Sequence, residues 1–84
     1  MNIYVGNLDF KVEASDLEEA FEEFGTVSSA NVITDKFSGR SKGFGFVTMD
    51  DADEAKAAID ALNGVTLKSR DITVNEARPK RDNY

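Results

Sequence analysis

Residues 42–49, Lys-Gly-Phe-Gly-Phe-Val-Thr-Met, constrain this chain more than any other stretch. The run has the aromatic and β-branched content of a strand. Side chains of a strand alternate between faces. One face then carries Lys42, Phe44, Phe46 and Thr48, and the other Gly43, Gly45, Val47 and Met49. In residues 2–6, Asn-Ile-Tyr-Val-Gly, the same alternation sets Ile3 and Val5 against Tyr4. The aliphatic residues decide which side is the core, because a one-residue slip would expose all of them. Tyr4, Phe44 and Phe46 are then expected on the side away from the core. Burying each ring would be worth about 1.5–3 kcal/mol. Contiguous aromatics left in water mark an interaction site.

The rest of the chain supplies the other elements. Ser15 fits a helix N-cap, and Glu18 completes a Ser-x-x-Glu capping box. Leu17, Ala20, Phe21 and Phe24 recur at helical spacing, which predicts an amphipathic helix near 15–24, stopped by Gly25. Residues 27–34 read as a strand, with Ala30 and Val32 on one face and Asn31 and Ile33 on the other. A polar turn at 35–41 joins it to residues 42–49 as an antiparallel hairpin. A second helix is predicted near 51–62, capped by Asp51, with Ala52, Ala55, Ile59 and Leu62 inward. Asn63-Gly64 end it with residues that tolerate left-handed backbone. Residues 65–70 suit a minor hairpin, and 71–76 a fourth strand with Ile72 and Val74 inward. Residues 1–77 are then one domain and 78–84 a basic polar tail.

The order β-α-β-β-α-β predicts an α+β sandwich: one four-stranded antiparallel sheet with two helices on one face. Nothing in the chain is left to cover the other face. Gly43 and Gly45, on the inward side of their strand, would let a helix approach closely.

Charge looks unsuited to a polyanion partner until its distribution is considered. Lys and Arg number 10 and Asp and Glu 16, a net charge of −6. Residues 13–24 and 50–62 hold 11 of those acids against one base, Lys56. The remainder carries 9 bases (10 less 1) and 5 acids (16 less 11), a balance of +4. Lys42 shares the aromatic face, Lys36 and Arg40 lie in the adjoining turn, and Arg78, Lys80 and Arg81 follow the last strand. Aromatic platforms framed by cations suit single-stranded nucleic acid: bases stack on rings while Lys and Arg meet phosphates.

Other chemistries find little support. The chain has no cysteine and no histidine, so a disulfide scaffold, a zinc ribbon, a thiol nucleophile and a histidine base are excluded. No apolar run approaches a membrane span. A strand-like run directly after Met1 argues against a leader segment, and a cytoplasmic location is expected. The glycines at 39, 43 and 45 lack the spacing of a phosphate-binding loop. Asp50-Asp51-Ala-Asp53 is better explained as a helix cap than as a calcium loop. No nucleophile–base pair points to an enzyme, and neither cofactor nor metal is expected.

Lys42–Met49 resembles the RNP1 octapeptide of the RNA recognition motif family, and Ile3-Tyr-Val-Gly-Asn-Leu8 resembles its RNP2 hexapeptide. The resemblance runs from Asn2 to Ala77 and includes Asn63-Gly64 and Ile72–Ala77. Within the family the chain is similar to small single-motif proteins of bacteria and cyanobacteria and to the motif of plant glycine-rich RNA-binding proteins. It implies a ferredoxin-like sandwich and a non-catalytic, single-stranded RNA-binding module in RNA chaperoning or post-transcriptional regulation. By position, Tyr4 and Phe46 would stack on two neighbouring bases, Phe44 pack against the riboses between them, and Lys42 pair with a phosphate. Asn7, Asn31, Thr73 and Asn75 would offer polar contacts at base edges, and Arg40, in the turn next to the aromatic patch, is a further candidate RNA contact. Glu76, Ala77 and Arg78 would contact RNA where the chain leaves the sheet. Two positions depart from the pattern: Met49 replaces the closing aromatic of RNP1, and Ser69 stands where glycine is common before Arg70. Phe37 is read as a loop residue without a base contact. Single-stranded DNA stays open as a ligand, a protein partner on the patch or the acidic helices is the alternative, and a monomer is the default.

Overall fold

The computed structural model describes residues 1–39 and 41–77. In chain order the elements are β1 (Asn2–Gly6), α1 (Ala14–Glu22), β2 (Val27–Thr34), β3 (Ser41–Met49), α2 (Ala52–Leu62), β4 (Thr66–Leu67), β5 (Arg70–Asp71) and β6 (Thr73–Glu76). The main sheet is antiparallel with strand order β2-β3-β1-β6, and β4-β5 form a separate two-stranded hairpin. The two RNP-like segments are therefore hydrogen-bonded neighbours at the centre of the sheet. This is the expected β-α-β-β-α-β sandwich.

The core forms where alternation puts it. Ile3, Val5, Val47, Met49 and Val74 are wholly buried, all on one face of three adjacent strands. Against them pack Leu17 and Phe21 of α1 and Ala55, Ala58 and Leu62 of α2. Ala58 takes the inward place expected of Ala52, which is exposed in the first turn of α2. Leu8 and Val12, each 2% exposed, pin the loop between β1 and α1 to the same core. Among the described residues no helix is long and apolar enough to cross a membrane.

Three local expectations are corrected. The cap of α1 is Glu13, not Ser15, and Asp16 closes it by accepting the Glu13 backbone N–H at 2.8 Å. Asp16 sits three residues after Glu13, as Glu18 does after Ser15, so the capping spacing is present two residues earlier. Gly25 does not stop α1 by left-handed backbone. Its site is small because the Glu54 side chain lies where a Cβ would project, and Glu54 Oε1 accepts the Thr26 N–H at 3.3 Å. The fourth strand is shorter than 71–76. The Ile72 N–H donates to Val65 at 2.9 Å and its carbonyl accepts from Gly64 at 2.8 Å, so Ile72 bonds to the exit of α2 and pairing with β1 begins at Thr73. Asp51 caps α2 as expected, accepting from the N–H groups of Asp53 and Glu54, and Gly64 is left-handed at φ +88°.

Candidate nucleic-acid interface

The register of β1 against β3 pairs Tyr4 with Phe46 and Gly6 with Phe44. Both strands turn these rings away from the helices, and the three form one cluster. Ring centroids are 6.1 Å apart for Tyr4–Phe44, 5.9 Å for Tyr4–Phe46 and 6.1 Å for Phe44–Phe46. Tyr4 and Phe44 incline by only 29°, while Phe46 meets both edge-on at 66° and 88°. Each ring thus braces the others, which fixes their orientation before any ligand arrives. Phe46 is 37% exposed, and Tyr4 and Phe44 are half-buried by one another.

Glycines shape this platform in ways alternation does not reveal. The Tyr4 ring lies along its own strand over Gly6, where a Cβ would collide with it. Gly45 faces the backbone of β2 rather than a helix: a Cβ there would strike the Asn31 carbonyl oxygen. The helix-approach role expected for Gly45 is therefore a strand-approach role. Gly43 takes φ +87°, a conformation that disfavours other residues, and its carbonyl accepts the Leu8 N–H at 2.8 Å.

That kink separates Lys42 from the rings. Pairing of β2 with β3 shifts between Val32–Gly45 and Thr34–Ser41, so strict alternation from Phe44 stops there. Lys42 instead lines a cleft of about 350 Å³ with Ile33, Thr34, Asp35, Lys36 and Phe37. Phe37 is fully exposed at the loop tip.

The polar residues divide in the same way. Asn31 lies opposite Phe46, Asn75 opposite Tyr4, and Thr73 opposite Gly6. All three are exposed on the platform face. Glu76 pairs with Ile3 and shares its parity with Val74, which turns it toward the helix side, away from the rings. Ala77 continues the ladder through its N–H to Asn2, at 2.8 Å. Asn7, at φ +55°, spends its amide on structure: Nδ2 donates to the Asp71 carbonyl at 2.6 Å, and Oδ1 accepts from Arg70 at 3.5 Å. Arg40, Arg78, Lys80 and Arg81 lie outside the described residues.

The Asn7 contacts belong to a tie between the β1–α1 loop and the β4–β5 hairpin. The Ser69 hydroxyl donates to Asp9, and Lys68 pairs with Asp16 at 3.7 Å. Lys68 takes the left-handed turn position at φ +61°, so the hairpin turns without a glycine at 69. The Ser69 hydroxyl holds the Asp9 carboxyl below its usual range, helped first by the Lys11 backbone N–H and, less, by the Lys11 and Arg70 charges, while desolvation opposes the shift. Sequence reasoning passed over Phe10, which is 65% exposed with the Arg70 guanidinium 5.8 Å from its ring centroid. A lone aromatic between polar residues and the buried Leu8 and Val12 was the available signal.

The family profile of the RNA recognition motif matches residues 3–73. A 28 kDa chloroplast ribonucleoprotein of Spinacia oleracea is 52% identical over 81 residues, covering 94% of this chain and 35% of that one. RbpA of Nostoc sp., named as an RNA-binding protein, is 45% identical over 82 residues, covering 98% of this chain and 80% of that one. The chain thus spans about a third of the chloroplast relative and most of the cyanobacterial one. The crystal structure of RNA Binding Protein PG1 superposes with a TM-score of 0.91 at 45% identity, covering 98% of this chain and 99% of that one.

Proposed function

The chain belongs to the RNA recognition motif family, and we propose that it holds single-stranded RNA on Tyr4, Phe44 and Phe46 without catalysing a reaction. The observation that carries this is the braced ring cluster at the centre of the sheet, on the face opposite both helices. Two neighbouring bases stack on Tyr4 and Phe46, and Phe44 packs against the sugars between them. Asn31, Thr73 and Asn75, level with the rings, contact base edges, and Lys42 meets a phosphate at the loop end.

The ligand is single-stranded for a geometric reason. A four-stranded sheet does not easily enter a duplex groove, whereas unstacked bases can lie on its rings. Stacking supplies about 1–3 kcal/mol per base, so two bases supply about 2–6 kcal/mol. Alone that corresponds to affinity near the millimolar range, and phosphate contacts add a salt-dependent increment. The acidic helices repel a strand approaching from the wrong side. The module acts as a monomer in the cytoplasm, in RNA chaperoning or post-transcriptional regulation, with residues 1–77 as the domain and 78–84 as its basic tail. The ribonucleoprotein and RNA-binding names of its relatives support the RNA-binding part of this reading.

Fluorescence anisotropy with a pool of short single-stranded RNAs at two salt concentrations tests it. The comparison is the Tyr4→Ala/Phe44→Ala/Phe46→Ala variant, with folding checked by circular dichroism. The wild type should bind, more weakly at high salt, and the folded variant should lose about 30-fold or more. Equal binding by both, or binding by neither, would sink the stacking mechanism and turn attention to a protein partner on the acidic helices.

A further inference from the structure

We propose that the cleft beside Phe10 is an additional nucleotide subsite, holding a base of the same RNA strand beyond the pair stacked on Tyr4 and Phe46. The inference rests on the platform reading above. The cleft has a volume of about 380 Å³, and its lining includes Phe10 and Glu13 from the β1–α1 loop and Asn31 and Thr34 from β2. That volume lies within the usual range for a small-molecule site. Continuity with the platform comes from two directions. Asn31 both lines the cleft and stands opposite Phe46 in the sheet. Leu8 is hydrogen-bonded to Gly43, the residue before Phe44, and Phe10 follows Leu8 by two residues, a span of at most about 7 Å. One strand can therefore run from the rings into the cleft.

The chemistry of the cleft suits a base with its phosphate. Phe10 offers an aromatic surface that is 65% exposed. Arg70 lies over that ring and is steadied by Asn7 Oδ1, so a cation already stands where a stacked nucleotide brings its backbone. Lys11 follows Phe10 in the same loop, and Lys36 lies in the loop after β2. Glu13, the acidic group in the lining, faces the neutral base, where it can accept from an exocyclic amine. Charge around the three loops differs from charge on the helices. Residues 7–13, 35–42 without Arg40, and 66–71 carry five bases and four acids, while residues 16–24 and 50–62 carry ten acids and one base.

The test uses labelled random RNA pools of three and six nucleotides with the full chain, comparing wild type, Phe10→Ala and Phe10→Trp. The chain has no tryptophan, so an indole at position 10 reports its own surroundings. Phe10→Ala should bind the trimer pool like wild type and the hexamer pool about 5-fold or more weakly. Phe10→Trp should restore hexamer affinity and show fluorescence quenching with hexamers but not with trimers. If wild type binds both pools, yet Phe10→Ala leaves hexamer affinity unchanged and the indole is not quenched, the subsite is refuted and the platform stands. If wild type binds neither pool, the platform reading itself fails.

Discussion

On the helix side of the sheet, Ile3, Val5, Val47, Met49 and Val74 have no exposure. On the other side the larger Tyr4, Phe44 and Phe46 keep contact with water and pack mainly against each other. Neighbours in sequence thus do different work. The aliphatic face supplies the apolar burial that a chain of 84 residues needs, and the aromatic face leaves apolar surface in contact with water. Charge is uneven too, with acids crowded on the helices and bases and acids nearly balanced in the loops at the end of β1. With RNA held on the rings as proposed, stability and binding are separable by strand parity, residue by residue.

The largest expected effect is on the buried side. Phe21→Ala empties the centre of the core and should cost about 3–5 kcal/mol, a large share of the roughly 4–12 kcal/mol expected for a domain this size. Denaturant unfolding should show it directly, while the molecules that remain folded should bind RNA with wild-type affinity. An affinity loss without a stability loss would contradict the division.

A mutation at the seam between the faces should breach it. Gly45 is buried, yet its missing Cβ faces the Asn31 carbonyl of β2. Gly45→Ala must part the two strands, at a cost of about 1–3 kcal/mol. Because Asn31 stands opposite Phe46, RNA affinity should fall as well. Thermal unfolding and anisotropy on the same sample would show both losses. A loss confined to stability would mean that the β2 edge takes no part in binding.

These positions also show what was legible in advance. Alternation of Ile3-Tyr4-Val5 and Phe44–Met49 was enough to assign both faces and the ring cluster, because β1 and the Phe44–Thr48 stretch of β3 pair in unbroken register. Legibility ended where the backbone leaves regular geometry. Gly43 at φ +87° detaches Lys42 from the pattern, and pairing in the sheet sets the backbone of β2, not a helix, against Gly45. Asn7 looked like a base-edge group, but its amide is used to tie two loops that lie far apart in sequence. Glu76 was grouped with the site by its place in the chain, although pairing with Ile3 turns it to the helix side. Tertiary ties of this kind carry no local signal.

The smallest effect concerns the loop tie. The Asp9 carboxyl titrates below its ordinary value because Ser69 donates to it. A depressed folded-state pKa contributes stability above the unfolded value, and that contribution fades as pH falls through the folded one. It is therefore present at neutral pH and lost under acid conditions, below about pH 4. Ser69→Ala should raise the Asp9 pKa toward the ordinary value, as followed by NMR titration of the carboxyl carbon. An unchanged pKa would remove Ser69 as the cause. Platform binding should barely respond, since the rings lie on a different element.

The most direct measurement sets two adjacent residues of β3 side by side: Phe46→Ala and Val47→Ala, each assayed for Tm and for affinity to a short single-stranded RNA pool. Val47→Ala should lower stability by about 2 kcal/mol and leave affinity intact. Phe46→Ala should keep Tm close to wild type and weaken binding by about 5-fold or more. If both variants lose stability alone, or both lose affinity equally, the two faces do not divide the work and the stacking platform is not the binding site.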